Sequence, residues 1–514
     1  MRYLSMAPVA IAVAVLAGCG GGSSGPAVDN STARGTLVAN PPVLVPVPQA
    51  NGTTATSLQP AAFAASLEAA SPGTTQVTGT PKCAITTYYM KYTTVGGKGE
   101  PTDATGAIMV PSGSDPACTG SRPVLLYAHG TTTDKAFNMA NLRDNREASL
   151  VAAVYAAQGF IVVAPNYAGY DVSSLTYHPY LNAEQQAADM IDALRAARKA
   201  FPGIGAQDSG KLFITGYSQG GHVAMATQRA MQQTLSSEFK VTAMSGQSGP
   251  YATTLFLDAI FAGRPNLGGT LFMPLITSSV QNAYGNLYTS PSDIYNATYA
   301  TGIETLLPST STATQLIMSG KLPQLQLFGS DYAAAGLPGP ASPEFSIFFG
   351  TSPLIKTSYR AAYLVDAQTN RCDVNPADPL NCSPQNALRK AAKLNDLRTY
   401  VPTVPTMLCG GNADPTVFYA ANTTATAGFF MAKGMPAAAL TVLDVDSAPT
   451  GATDPFAAAK VGFSQAKAAA AQAAVRAGAD PALAVAQNYH GGLVPPFCQA
   501  ATRGFFQTVL ASGR

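Results

Sequence analysis

One serine between glycines, one aspartate beyond a strand and one late histidine are the residues of this 514-residue chain whose types and order point to chemistry. Gly216-Tyr217-Ser218-Gln219-Gly220 fits the pattern Gly-x-Ser-x-Gly. It falls directly between an apolar strand-like run, Lys211–Thr215, and a helical pattern from about Gly221 to Leu235. Flanking glycines are what a tight strand-to-helix turn needs, because side chains there would collide with the neighbouring strand and helix. A serine in such a turn becomes a nucleophile once a base takes its proton. The helix that follows aims N–H groups at the negative charge that develops. Ser218 is therefore the candidate nucleophile.

The chain offers four histidines as the base. His129 closes a strand in His129-Gly130-Thr131-Thr132-Thr133, His178 lies in a loop before Ser218, and His222 sits on the helix that follows it. His490, in Asn488-Tyr489-His490-Gly491-Gly492, comes after the last strand, where the chain order Ser…Asp…His places the base. For the carboxylate, Cys409-Gly410-Gly411-Asn412-Ala413-Asp414-Pro415 reads as a strand end, a glycine turn and then an acid. Asp444, Asp446 and Asp454 compete, since they lie in or after the next strand; Asp414 is preferred, although a turn aspartate capping a helix after Pro415 reads the same way. An oxyanion needs two N–H donors, expected from Gln219 and from either Thr131 or Thr132.

The elements that must hold these residues follow from periodicity. Pro123–Ala128 and Phe160–Pro165 are continuous apolar runs, as strands covered on both faces are, and Ala183–Ala200 carries a 3.6-residue apolar period. Strands alternating with helices predict a parallel sheet with crossover helices. The rhythm stops near Ser248 and resumes at Val404–Cys409 and Leu440–Val445, so residues 249–395 are expected as an inserted cap between a first core part, 58–248, and a second, 396–514. Within the second part, about 456–487 is Ala-rich and helical, and Cys498–Ser512 reads as a closing helix. Charged residues are only 11%, with 30 Lys+Arg against 28 Asp+Glu, which leaves no basic field for a nucleic acid. Four His and no Cys-x-x-Cys argue against a metal site.

Arg2, the apolar run Ala7–Leu16 and Leu16-Ala17-Gly18-Cys19 resemble a bacterial lipoprotein signal, 1–18, with Cys19 the acylated residue. A Gly/Ser-rich and then Pro/Val/Thr-rich stretch, 19–57, is expected as a flexible tether. An ordinary secretory signal is the alternative. The other six cysteines are Cys83, Cys118, Cys372, Cys382, Cys409 and Cys498. In an oxidising compartment they suggest three disulfides; proximity pairs 83 with 118 and 372 with 382, leaving 409 with 498. The expected location is outside the cytoplasm, on a membrane or released from it.

Taken together the pattern resembles the α/β-hydrolase superfamily and, more narrowly, the secretory lipase family. His129–Thr132, Ala164–Gly169, Asp189–Arg198, Gly216–Gly221, Asp414 and His490 carry the likeness. The resemblance implies an α/β-hydrolase fold with a mostly parallel central sheet, flanking helices and a large inserted cap. It also implies a serine ester hydrolase (lipase or esterase) with an acyl-enzyme intermediate, apolar ester or polyester substrates, no cofactor and a monomeric state. A serine peptidase on the same fold and a non-catalytic ligand-binding lipoprotein are the other readings.

Overall fold

The computed structural model describes residues 34–48 and 52–513. Cys19 and the signal-like segment lie outside the described residues. Nine strands form one sheet: β1 (Val43–Leu44), β2 (Ala84–Val95), β3 (Pro101–Ser112), β4 (Arg122–Ala128), β5 (Ile161–Pro165), β6 (Asp208–Tyr217), β7 (Val241–Gln247), β8 (Thr406–Gly410) and β9 (Leu440–Asp444). Their spatial order is β1-β2-β3-β5-β4-β6-β7-β8-β9. The six strands from β5 to β9 pair in parallel, whereas β1, β2 and β3 join antiparallel at one edge.

The order reverses at β4: the chain steps to β5 on one side, then returns to β6 on the other. A crevice opens where the strand order reverses, beyond the carboxyl ends of the two strands. Ala128 pairs with Gly216, so the loops that leave β4 and β6 emerge side by side.

Alternating side chains divide the sheet's two faces. Leu126, Val163 and Ile214 pack with helices α2 (Ala183–Ala200) and α3 (Gln219–Gln233). Leu125, Val162 and Phe213 pack with α1 (Arg146–Val154) and α10 (Val494–Ala511). Between β7 and β8 come α4 (Thr253–Phe261), α5 (Gly269–Tyr284), α6 (Thr357–Thr369) and α7 (Ala387–Asn395), with a separate core built on Phe256, Phe261, Met273, Tyr363 and Leu388. The Ala-rich stretch forms α8 (Ala457–Arg476) and α9 (Pro481–Asn488).

Residues 34–48, expected as part of a loose tether, instead lie along the sheet edge. Val43 and Leu44 pair with Tyr89 and Tyr88, and the buried Arg34 forms an ion pair with Asp192 of α2 at 2.9 Å. The edge strand β2 supplies the free backbone groups, and a buried carboxylate needs a cation, so a segment of weak intrinsic propensity is ordered by its partners. Three disulfides join Cys83 to Cys118, Cys372 to Cys382 and Cys409 to Cys498. Such bonds persist in compartments outside the reducing cytosol. Among the described residues no helix is long and apolar enough to cross a membrane.

Candidate active site

Ser218 stands between β6 and α3 at φ 57° and ψ −122°, a conformation that L-residues avoid. Backbone packed on both sides maintains it. A Cβ at Gly216 would lie 2.2 Å from the Gly220 carbonyl oxygen, and one at Gly220 would lie 1.9 Å from that of Ala128. Both positions must therefore stay bare, and the strained turn lifts Ser218 Oγ to the carboxyl end of the sheet.

His490 brings the other two expected residues together. Its Nε2 lies 2.7 Å from Ser218 Oγ and its Nδ1 lies 2.6 Å from Asp414 Oδ2. The other carboxylate oxygen, Oδ1, accepts the N–H groups of Thr416 (2.8 Å) and Val417 (3.0 Å). With the carboxylate facing Nδ1, the imidazole carries its proton there and leaves the Nε2 lone pair for the serine hydroxyl. A hydroxyl, an imidazole and a carboxylate linked in this way can move a proton off the serine as it attacks a carbonyl.

The two loops are fastened at several points. Tyr217 Oη donates to the His490 carbonyl at 2.5 Å. Tyr489 Oη donates to Asp446 (2.7 Å) and accepts the Ala413 N–H (3.3 Å). The Cys409–Cys498 bond joins the end of β8 to α10.

The three competing carboxylates are engaged elsewhere. Asp444 accepts from Asn412 and the Asp446 N–H, Asp446 takes Tyr489 and Lys467, and Asp454 takes Lys460. The three other histidines are buried and hold structure. His129 lies between the carbonyls of Gly130 and Asn166, to one of which its single N–H donates, and stacks on Tyr167, and burial depresses it to about 4. His178 bonds the Ala168 carbonyl and receives the side-chain amide of Gln219, and burial lowers it to about 3. His222 bonds the Asn395 carbonyl, and burial lowers it to about 4.

Gln219 opens α3, so its backbone N–H has no acceptor within the helix. The two threonines differ. Thr132 is turned into its own loop: its hydroxyl accepts the Asp134 N–H and its carbonyl accepts Tyr170 Oη. Thr131 faces a cleft together with Ser218 and Gln219. Phe256, Leu257 and Ile260 of α4 and Met273, Ile276 and Val280 of α5 form much of its wall, and no lining residue is charged. Ser218 is 8% exposed, so a substrate must reach it through this cleft.

Sequence reasoning missed Glu147, in the first turn of α1, whose Oε1 accepts the Gly130 N–H (2.9 Å) and Tyr127 Oη (2.8 Å) beneath the loop that follows β4. Desolvation raises this carboxyl to about 6. It also missed Tyr180. Neither belongs to a motif; an acidic first turn after the capping Asn145 was the one signal for Glu147.

Comparison with known proteins extends this picture. The Prolyl oligopeptidase family matches residues 146–244, a stretch from α1 into β7 that includes Ser218 but neither Asp414 nor His490. The rice cell wall degrading esterase LipA from Xanthomonas oryzae is 29% identical, with a TM-score of 0.63 over 84% of this chain and 95% of that one. Its ligand-bound form is 25% identical, with a TM-score of 0.67 over 94% and 100%. A putative hydrolase from Legionella pneumophila shares the fold at 19% identity, with a TM-score of 0.63 over 92% and 98%. No curated protein matches the chain. A sheet whose strand order reverses beside a strained serine, in a chain most of which overlays on an esterase of the same architecture, gives this protein the α/β-hydrolase fold.

Proposed function

We propose that the protein is a serine carboxylic-ester hydrolase. Ser218 Oγ attacks the ester carbonyl while His490 Nε2 takes its proton, and Asp414 orients the ring and stabilises the imidazolium. The tetrahedral oxyanion is held by the N–H groups of Gln219 and Thr131, each contributing about 3–4 kcal/mol to the transition state. His490 then gives its proton to the departing alkoxide. A water activated by the same imidazole hydrolyses the acyl-enzyme. The observation that carries this reading is the position of His490, 2.7 Å from Ser218 Oγ and 2.6 Å from Asp414, beside a cleft with uncharged walls.

Residues 249–395 act as the cap whose helices receive the apolar acyl or polyester portion of a small ester substrate. The protein works outside the cytoplasm, tethered through an acylated Cys19.

A peptidase reading draws support from the Prolyl oligopeptidase match. The cleft tells against it, because no carboxylate lines its wall to receive a peptide's amino terminus. Hydrolysis of p-nitrophenyl esters from acetate to palmitate tests the proposal, with Ser218→Ala alongside. We expect ester turnover by the folded wild type and a loss of at least about 10⁴-fold in the variant. Turnover of aminoacyl amides without esters would move the assignment to a peptidase, and an active Ser218→Ala would remove the nucleophile.

A further inference from the structure

Thr131 and Tyr180 meet through their hydroxyls, 2.8 Å apart, and both line the cleft with Ser218. Two hydroxyls carry two protons but share one hydrogen bond, so one proton is always left over. Among the described residues neither hydroxyl has another hydrogen-bond partner. The spare proton belongs to a pair beside the nucleophile: a methyl built on Gly130, the residue before Thr131, would sit 3.7 Å from Ser218 Cβ.

Tyr180 is held where it is. It is 6% exposed, its N–H donates to the His178 carbonyl at 2.8 Å, and its ring meets the His178 ring edge-on at 6.0 Å. His178 in turn holds the Gln219 side chain at 2.7 Å. The segment Tyr177–Asn182 thus touches both halves of the oxyanion site, with Leu181 fixed at φ 54° to make the turn.

We propose that the Tyr180–Thr131 pair supplies a third hydrogen-bond donor to the oxyanion: Tyr180 donates to Thr131 Oγ1, and the Thr131 hydroxyl proton turns into the cleft to meet the negative oxygen. This rests on the reading of Ser218 as the nucleophile. A phenol is the more acidic hydroxyl and an aliphatic alcohol the better acceptor, which sets the direction of the shared bond. Burial pushes the Tyr180 phenol well above its ordinary value, so it keeps its proton as the reaction proceeds. Thr131 is then a catalytic residue and Tyr180 a positioning residue that acts through it. Thr132 has no part, since it does not line the cleft.

The test uses the full chain and four variants: Thr131→Val, Thr131→Ser, Tyr180→Phe and the double Thr131→Val/Tyr180→Phe. Three readings are taken from each: ester kinetics, labelling of Ser218 by a fluorophosphonate, and affinity for an alkyl trifluoromethyl ketone, whose hemiketal mimics the oxyanion. Thr131→Val should lower kcat about 10- to 100-fold with KM within about twofold, and weaken the ketone by a similar factor. Thr131→Ser should restore most of both. Tyr180→Phe should cost less, and should cost nothing further on the Thr131→Val background. Normal kcat and ketone affinity in Thr131→Val, with Ser218 still labelled, would overturn the pair's role alone. So would a rise in KM without a change in kcat, or equal losses from Tyr180→Phe on both backgrounds. Failure of wild-type Ser218 to label would overturn the nucleophile reading beneath it.

Discussion

At the scale of single residues, Asp414 is the clearest case of geometry deciding chemistry. One carboxylate oxygen accepts two backbone N–H groups and the other faces His490, so every neighbour at this site is a donor. An amide has no orientation that suits three donors. In Asp414→Asn the NH2 group must face either the backbone pair or the imidazole, which drives His490 toward the tautomer that cannot accept from Ser218. We expect kcat to fall about 10⁴-fold with KM little changed and the fold intact, as read by steady-state kinetics beside a thermal melt. A loss below tenfold would contradict the role given to Asp414. Ser218, Asp414 and His490 could be singled out from sequence because a short motif and the chain order isolate them. Tyr180 could not, since its place beside Thr131 depends on a loop with no period and on the left-handed turn at Leu181.

At the scale of elements, the site depends on how two distant pieces are tied. Asp414 hangs five residues beyond Cys409 and His490 lies eight before Cys498. The disulfide that joins them closes a span of 89 residues, inside which α8 and α9 are carried. Replacing both cysteines by serine should cost about 2–5 kcal/mol of stability, and kcat should fall by more than stability accounts for, because the Asp414–His490 distance loosens. Denaturant melts beside kinetics on the same preparation would show this. Full kcat in the double variant would mean that Tyr217 and Tyr489 hold the loops unaided. Most elements around the site were legible: Ala183–Ala200 is the same helix in sequence and structure, and the strands ending at Ala128, Pro165 and Gly410 follow apolar runs. The β2–β3 hairpin was not. Thr86-Thr87-Tyr88-Tyr89-Met90-Lys91-Tyr92 has no continuous apolar run, and its burial alternates because an antiparallel pair at the sheet edge meets the core on one face.

At the scale of the whole molecule, buried ionisable groups set the response to pH. His129, His178 and His222 are neutral in the fold, at about 4, 3 and 4, and take up protons on unfolding wherever the pH lies below the ordinary 6.5. They favour the unfolded chain more as pH falls from 6.5 toward 4. Burial raises Asp189 to about 7 and Glu147 to about 6, so each holds a proton when folded and releases it on unfolding, which opposes the histidines in the same window. Three protons are taken up against two released, so stability should decline gently from pH 6.5 to about 4.5. Below about 4.5 both contributions fade together, since His129 and His222 take up protons in the fold while the carboxyls of Asp189 and Glu147 are protonated in the unfolded chain as well. Thermal scans from pH 4 to 7.5 would read this, and a Tm that climbs steadily on acidification would refute it.

The bridge between Cys409 and Cys498 also makes the protein's chemistry depend on its address. In a cytosol that keeps thiols reduced, the acid and imidazole loops would lose their covalent link and be joined by hydrogen bonds such as Ala413–Tyr489 and Asp414–His490, and a newly made chain would be a poorer catalyst. Oxidation after export would complete the site. On the proposed reading, an ester hydrolase built this way would be latent among the cell's own esters and competent only once the bond had formed.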